Sequence, residues 1–153
     1  MTISTRWPVT NGVFKATTAW ADGAHSVTRV RNFSLEADEP PALLGTDLAT
    51  NAVEQVLAAL GGCLTVGVVY QAGLSGIRLR SLAFEIEGYL DIRGFFGNEE
   101  VEPGYQRIMV TVRIQADAPR EELEKVLAAA TRTSPVLDII ARGVPVAIRM
   151  DSP

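Results

Sequence analysis

One cysteine and one histidine stand in 153 residues, and that scarcity excludes several chemistries at once. A single thiol, Cys63, cannot close a disulfide within the chain, which suits a reducing, cytoplasmic setting. Cys63 and His25 together fall short of the Cys/His ligand set of a zinc centre, so no metal is expected. A Cys-His hydrolase would need His25 to approach Cys63, and the local sequence gives no sign of it; His25 reads as a surface strand residue beside a turn. No glycine-rich nucleotide fingerprint is present, because Gly61, Gly62 and Gly67 fall inside a predicted helix; no cofactor is expected. Positive charge is also short, with 14 Lys and Arg against 18 Asp and Glu, a net charge of -4. Such a balance leaves no electrostatic footprint for nucleic acid or for an anionic membrane. The N-terminal MTISTRWPVTNG lacks the apolar core of a secretory signal.

Charge is missing altogether between Glu54 and Arg78, and that gap is the most informative stretch of the chain. Asn51 to Gly76 predicts a long helix that is apolar on every side, and such a helix must be buried against other structure. Asn51 is a good N-cap, Glu54 three positions on completes a capping box, and Gly73 and Gly76 are stop signals. Val56 to Leu74 approaches the length of a membrane span, which takes about 20 apolar residues. Its polar and glycine interruptions, and its place between strand-like segments, favour a helix inside a globular domain.

The flanking segments give the fold class. Gly12–Ala21 and His25–Phe33 predict a hairpin turning at Asp22-Gly23, followed by a short strand at Phe33–Ala37 and a loop over Asp38–Thr46. Beyond the long helix, Arg80–Ile92 and Tyr105–Gln115 alternate with period two and predict strands joined by the loop 93–104. Asp117 is expected to cap a helix running to Arg132, with Leu123, Val126, Leu127 and Ala130 on one face. Ser134-Pro135 opens a shorter helix to Arg142, and Val144–Met150 predicts a closing strand. Runs of strands rather than strict alternation argue for one α+β domain with antiparallel sheet over residues 1–153. One small sheet covers only one side of a helix that is apolar all round. The other side is expected to meet a second copy, with Ala58, Ala59, Gly61 and Gly62 permitting close approach, which makes a homodimer.

A lone thiol on a buried apolar helix is packing or a nucleophile, and only the thiolate attacks. The pattern LGTD followed by N-x-x-E-x-x-L-x-A-L-G-G-C, Leu44 through Cys63, resembles the OsmC/Ohr family of thiol-dependent peroxidases, as does SPVLDIIARGVPVAI from Ser134 to Ile148. The resemblance implies an OsmC-like fold, with antiparallel sheets wrapped around long central helices in an intertwined homodimer. It implies that Cys63 attacks the O–O bond of an organic hydroperoxide, in oxidative or osmotic stress defence. It further implies an orienting carboxylate, matched by Glu54, and a thiolate-stabilising arginine, for which Arg29 and Arg31 on the second predicted strand are candidates. Cys63 lies nine residues after Glu54 (63 − 54). That is about 180° round a helix and roughly 13.5 Å along it, so a shared site would need Glu54 from the partner copy. Two-cysteine members of the family carry a resolving cysteine where this chain has Ser134. A sulfenic acid on Cys63 would therefore require an external thiol. The alternative is a non-catalytic dimer of the same fold that binds a small apolar ligand, and Phe95-Phe96 could line such a pocket.

Overall fold

In the computed structural model, which describes residues 12–151, the chain falls into two compact units divided after Ala58. The first opens with three antiparallel strands in sequential order: β1 (Thr17–Asp22), β2 (His25–Val30) and β3 (Phe33–Ala37). Gly23 makes the β1–β2 turn with φ 51°, a left-handed conformation that glycine adopts without penalty, and its N–H donates to the Asp22 carboxylate at 2.9 Å. β2 ends three residues earlier than predicted. Arg31 takes φ 55° in the β2–β3 turn, so it leaves the ladder and does not share a strand face with Arg29. The predicted N-terminal reading falls on residues 1–11, outside the described residues.

The predicted loop after β3 is organised around one carboxylate. Asp38 is buried, and it accepts the N–H groups of Glu39 (2.8 Å), Thr46 (2.9 Å) and Leu48 (3.1 Å) and the Thr46 hydroxyl (2.7 Å). The enclosed turn has a short 3₁₀ segment, Pro41–Leu43, and left-handed backbone at Leu44 and Asp47. Gly45 is fixed by space, because a Cβ there would lie 1.7 Å from the Glu39 carbonyl oxygen. The Thr46 hydroxyl, and then the three backbone N–H donors, hold the Asp38 carboxyl well below the usual carboxylate range, against the opposing effect of burial. A carboxyl lowered in the folded state contributes stability above its unfolded range and loses it as pH falls through the folded value. The midpoint of thermal unfolding, Tm, should therefore drop as pH is taken from 6 toward 2. The Asp38→Asn variant should start lower and show a flatter acid limb. Parallel Tm-against-pH curves for the two proteins would refute this assignment.

The long helix forms as predicted: α1 runs Ala52–Leu74 with Asn51 before it. The capping box is present in both directions, Glu54 N–H to Asn51 Oδ1 at 2.9 Å and Asn51 N–H to Glu54 Oε2 at 2.9 Å. Only one line of its apolar surface is buried within the chain: Leu60, Leu64, Val68 and Ala72, each four residues from the next. Val66 and Val69 are exposed at 70% and 50%, so the prediction of a helix buried all round is not met by one chain. Length and composition would also let α1 cross a membrane; within the chain, Val68 and Ala72 of its buried line join the core cluster with Val126 and Ala130.

In the second unit, β4 (Leu79–Leu90) and β5 (Tyr105–Ala116) form a two-stranded antiparallel ribbon. Its register sets Leu82 opposite Ile114, Phe84 opposite Val112 and Ile86 opposite Val110, so these residues share one face. Leu82, Phe84 and Ile114 from that face pack on Val68 and Ala72 of α1 and on Val126 and Ala130 of the helix α3 (Arg120–Arg132). The two helices approach closely at Gly67, where a Cβ would stand 3.2 Å from that of Ala130. Gly61 faces the Ile86 side chain, which would lie 3.2 Å from a Cβ there; Gly62 faces open space. Of the small residues expected to meet a second copy, Gly61 is thus occupied by the chain's own ribbon.

Three local expectations need correction. The 93–104 loop contains a helical turn, α2 (Ile92–Phe95), because the Asp91 side chain caps Arg93 N–H at 3.1 Å. Asp117 does not cap α3. It pairs with Arg80, and the helix starts after Pro119, with Glu121 and Glu122 supplying negative charge to the first turn. The closing strand is not formed. α4 (Pro135–Arg142) ends at Gly143, and residues 144–150 have no ladder partner among the described residues. The whole stretch is exposed, and with it the apolar side chains Val144 50%, Val146 82%, Ile148 92% and Met150 95%.

Candidate active site

Cys63 stands near the middle of α1, and the side chain it meets belongs to the first residue before α4. Cys63 Sγ lies 3.1 Å from Ser134 Oγ. Ser134 is buried at 4% exposure, whereas Cys63 is half-buried and open to a small reagent. The local sequence explains why serine is held there. Ser134 is the N-cap of α4, with its Oγ accepting Leu137 N–H at 3.2 Å, and Pro135 at the first helical position fixes the entry. On the α1 side, Leu60 and Leu64 place the thiol beside the buried line, and the Thr65 hydroxyl turns back to the Gly61 carbonyl at 2.8 Å. The pair can present a sulfur nucleophile with a hydroxyl at contact distance in a largely apolar setting.

The other predicted site residues have definite places of their own. The Glu54 carboxylate is engaged in the capping box of its own helix. Arg29 lies within β2, opposite Thr17 and Ser34. Arg31 sits in the following turn with its guanidinium carbon 5.1 Å from the Phe33 ring centroid, a cation–π contact. His25 Nε2 is 3.1 Å from Glu36 Oε2 across the first sheet. Phe95 and Phe96 pack edge to face at 5.3 Å, and both are 68% exposed. Neither lines the groove of about 790 Å³ formed by Val112, Ile114, Leu123 and Leu127, with Arg113 and Glu124 among its polar lining. Among the described residues, no group of three His, Cys, Asp or Glu could hold a metal.

Sequence reasoning treated Ser134 as a helix cap, and it is one; the resemblance also set it where two-cysteine relatives carry the resolving cysteine, and its hydroxyl does lie beside Cys63. A serine-proline pair signals only the cap. That the same hydroxyl also reaches a sulfur 71 positions earlier (134 − 63) depends on how α4 packs on α1.

Residues 45–149 match the family model described as OsmC-like protein. This chain belongs to the OsmC-like family. The fold agrees with solved OsmC-like structures at low identity. An OsmC-like protein from Mycoplasma pneumoniae superposes with a TM-score of 0.75 at 13% identity, covering 86% of this chain and 89% of that one. An organic hydroperoxide resistance protein OsmC from Legionella pneumophila gives 0.64 at 20% identity, covering 84% and 89%. An organic hydroperoxide resistance protein from Elizabethkingia anophelis gives 0.60 at 16% identity, covering 88% and 91%. Comparison with curated proteins gives no match. The α+β architecture and antiparallel sheets of this OsmC-like chain are those of its structural relatives.

Proposed function

We propose that this OsmC-like protein is a cytoplasmic thiol-dependent peroxidase that reduces organic hydroperoxides through Cys63 in stress defence. The observation that carries the reading is the half-buried Cys63 sulfur, set against a buried hydroxyl in a chain of this family. Two of the structural relatives being named organic hydroperoxide resistance proteins supports the substrate class. In the first step the thiolate sulfur attacks the terminal peroxide oxygen and the O–O bond breaks. The leaving alkoxide takes a proton, giving an alcohol and a sulfenic acid on Cys63. An external thiol then displaces water to form a mixed disulfide, and a second thiol molecule releases reduced Cys63 and the oxidised reductant.

The working unit in this reading is a homodimer. Support comes from the apolar side of α1 left exposed, Val66 and Val69 among it, and from the alternating apolar run 144–150, which has no ladder partner among the described residues. The partner's copy of α1 would bring its Glu54 toward Cys63, and Arg29 or Arg31 would supply the positive charge that favours a thiolate.

The decisive experiment adds an organic hydroperoxide and a sulfenic-acid trap such as dimedone to the reduced protein, followed by intact and peptide mass spectrometry. The expected product is one adduct per chain, on Cys63. A second reading, an apolar-ligand binder without peroxidase chemistry, draws on the groove between β5 and α3. An unmodified Cys63 under these conditions would refute the peroxidase and leave that binder as the better account.

A further inference from the structure

We propose that the Ser134 hydroxyl is a hydrogen-bond donor to the reacting sulfur, holding Cys63 as a directed thiolate, and is not a helix cap alone. The proposal rests on the reading of Cys63 as the nucleophile and adds a residue to that site. Its basis is the direction of one hydrogen bond and the contact beside it. A serine hydroxyl has one proton and two lone pairs. The Leu137 N–H donates to Ser134 Oγ at 3.2 Å, which uses a lone pair and leaves the proton to point elsewhere. The Cys63 sulfur is 3.1 Å from that oxygen. Because Ser134 is buried, its proton has no solvent to turn to, and no buried side-chain polar atom among the described residues is left unsatisfied.

The arrangement forms a short relay in which each donor strengthens the next. A backbone N–H at the start of α4 polarises the hydroxyl, and the hydroxyl faces the sulfur. Donation to an ionised acceptor is stronger than donation to a neutral one, so this bond favours the thiolate over the thiol. Neither α1 nor α4 brings an unpaired cation of its own, so on these two helices the role falls to the serine, in addition to the charge that Arg29 or Arg31 would supply. Glu54 is the only charged residue of α1, and Tyr70 is its other titratable group beside Cys63. On α4, Asp138 and Arg142 pair with each other, Nη2 to Oδ2 at 2.7 Å, on an exposed side.

The test measures how the rate of Cys63 alkylation by iodoacetamide depends on pH in the full-length protein and its variants. Ser134→Gly removes the donor but keeps most of the capping energy, since glycine at an N-cap costs only a few tenths of a kcal/mol. Its alkylation midpoint should move upward by about one pH unit, which corresponds to about 1.4 kcal/mol. Ser134→Thr keeps the hydroxyl and should stay near wild type. Ser134→Asp keeps the cap, loses the donor and adds like charge, so its midpoint should rise further; it also serves if the glycine variant does not fold. Circular dichroism confirms that the helices are retained. A midpoint unchanged in a folded Ser134→Gly or Ser134→Asp protein overturns the proposal, leaving Ser134 as a cap. Absence of the sulfenic adduct on wild-type Cys63 would sink the peroxidase reading without touching this result, so the two failures are distinguishable.

Discussion

Treated with one equivalent of an organic hydroperoxide, the Ser134→Cys variant is expected to close a disulfide between positions 63 and 134 of the same chain. The wild-type oxygen is already 3.1 Å from the Cys63 sulfur. A disulfide needs about 2.05 Å between sulfurs, and the longer carbon–sulfur bond of the introduced side chain covers part of that difference. The chemistry balances without an outside reductant. Peroxide oxidises Cys63 to the sulfenic acid, the introduced thiol attacks that sulfur, and water leaves. The closed loop spans 71 positions (134 − 63), for which the chain-entropy model gives a stabilisation of about 4 kcal/mol in the oxidised form. Expected readings are loss of both free thiols, a mass lower by two hydrogens, and a higher Tm that falls back on reduction. Two free thiols persisting in a folded, peroxide-treated variant, where wild-type Cys63 does form the sulfenic adduct, would show that the two positions do not face each other.

If the working unit is the proposed homodimer, Ile148→Asp is expected to convert it into a monomer. Ile148 is 92% exposed within its own chain, and it lies on the same alternation as Val144, Val146 and Met150. Such a run gains stability only when another surface covers it. Covering a carboxylate without a partner costs several kcal/mol, and about 3 kcal/mol already raises a dissociation constant roughly 100-fold. Sedimentation velocity at micromolar concentration would show a dimer for wild type and a slower species for the variant. If the partner's Glu54 serves Cys63, hydroperoxide reduction by the variant should fall together with the dimer. A wild-type protein that sediments as a monomer would refute the dimeric site.

Local geometries and strand periodicity were legible before the structure, and side-chain partners distant in sequence were not. Asn51 with Glu54, Asp22 with Gly23, and Ser134 with Pro135 each signal a local geometry, and all three geometries are present. The alternation at Leu82, Phe84 and Ile86 against Ile114, Val112 and Val110 likewise predicts a ribbon, and the pairing follows it. Asp117 misled because a helix-capping residue type can instead meet a distant charge, here Arg80. Arg31 misled because period two assumes the strand continues, and a left-handed residue ends it. The closing strand misled for another reason: alternation shows that a segment can pair without saying with which chain. The place of Cys63 in the middle of the long helix was legible from the helix motif. Its contact with Ser134 depends on packing between two helices far apart in sequence.

The stretch 44–47 that begins the family-like pattern has a meaning of its own. Gly45 has no room for a side chain, Thr46 closes on Asp38, and Asp47 takes a left-handed turn. These residues answer to the geometry of one loop. A descendant could lose Cys63 altogether and still keep this signature, because folding would continue to select it. The likeness carried by the loop is therefore a statement about architecture, and the chemistry has to be argued from Cys63 itself.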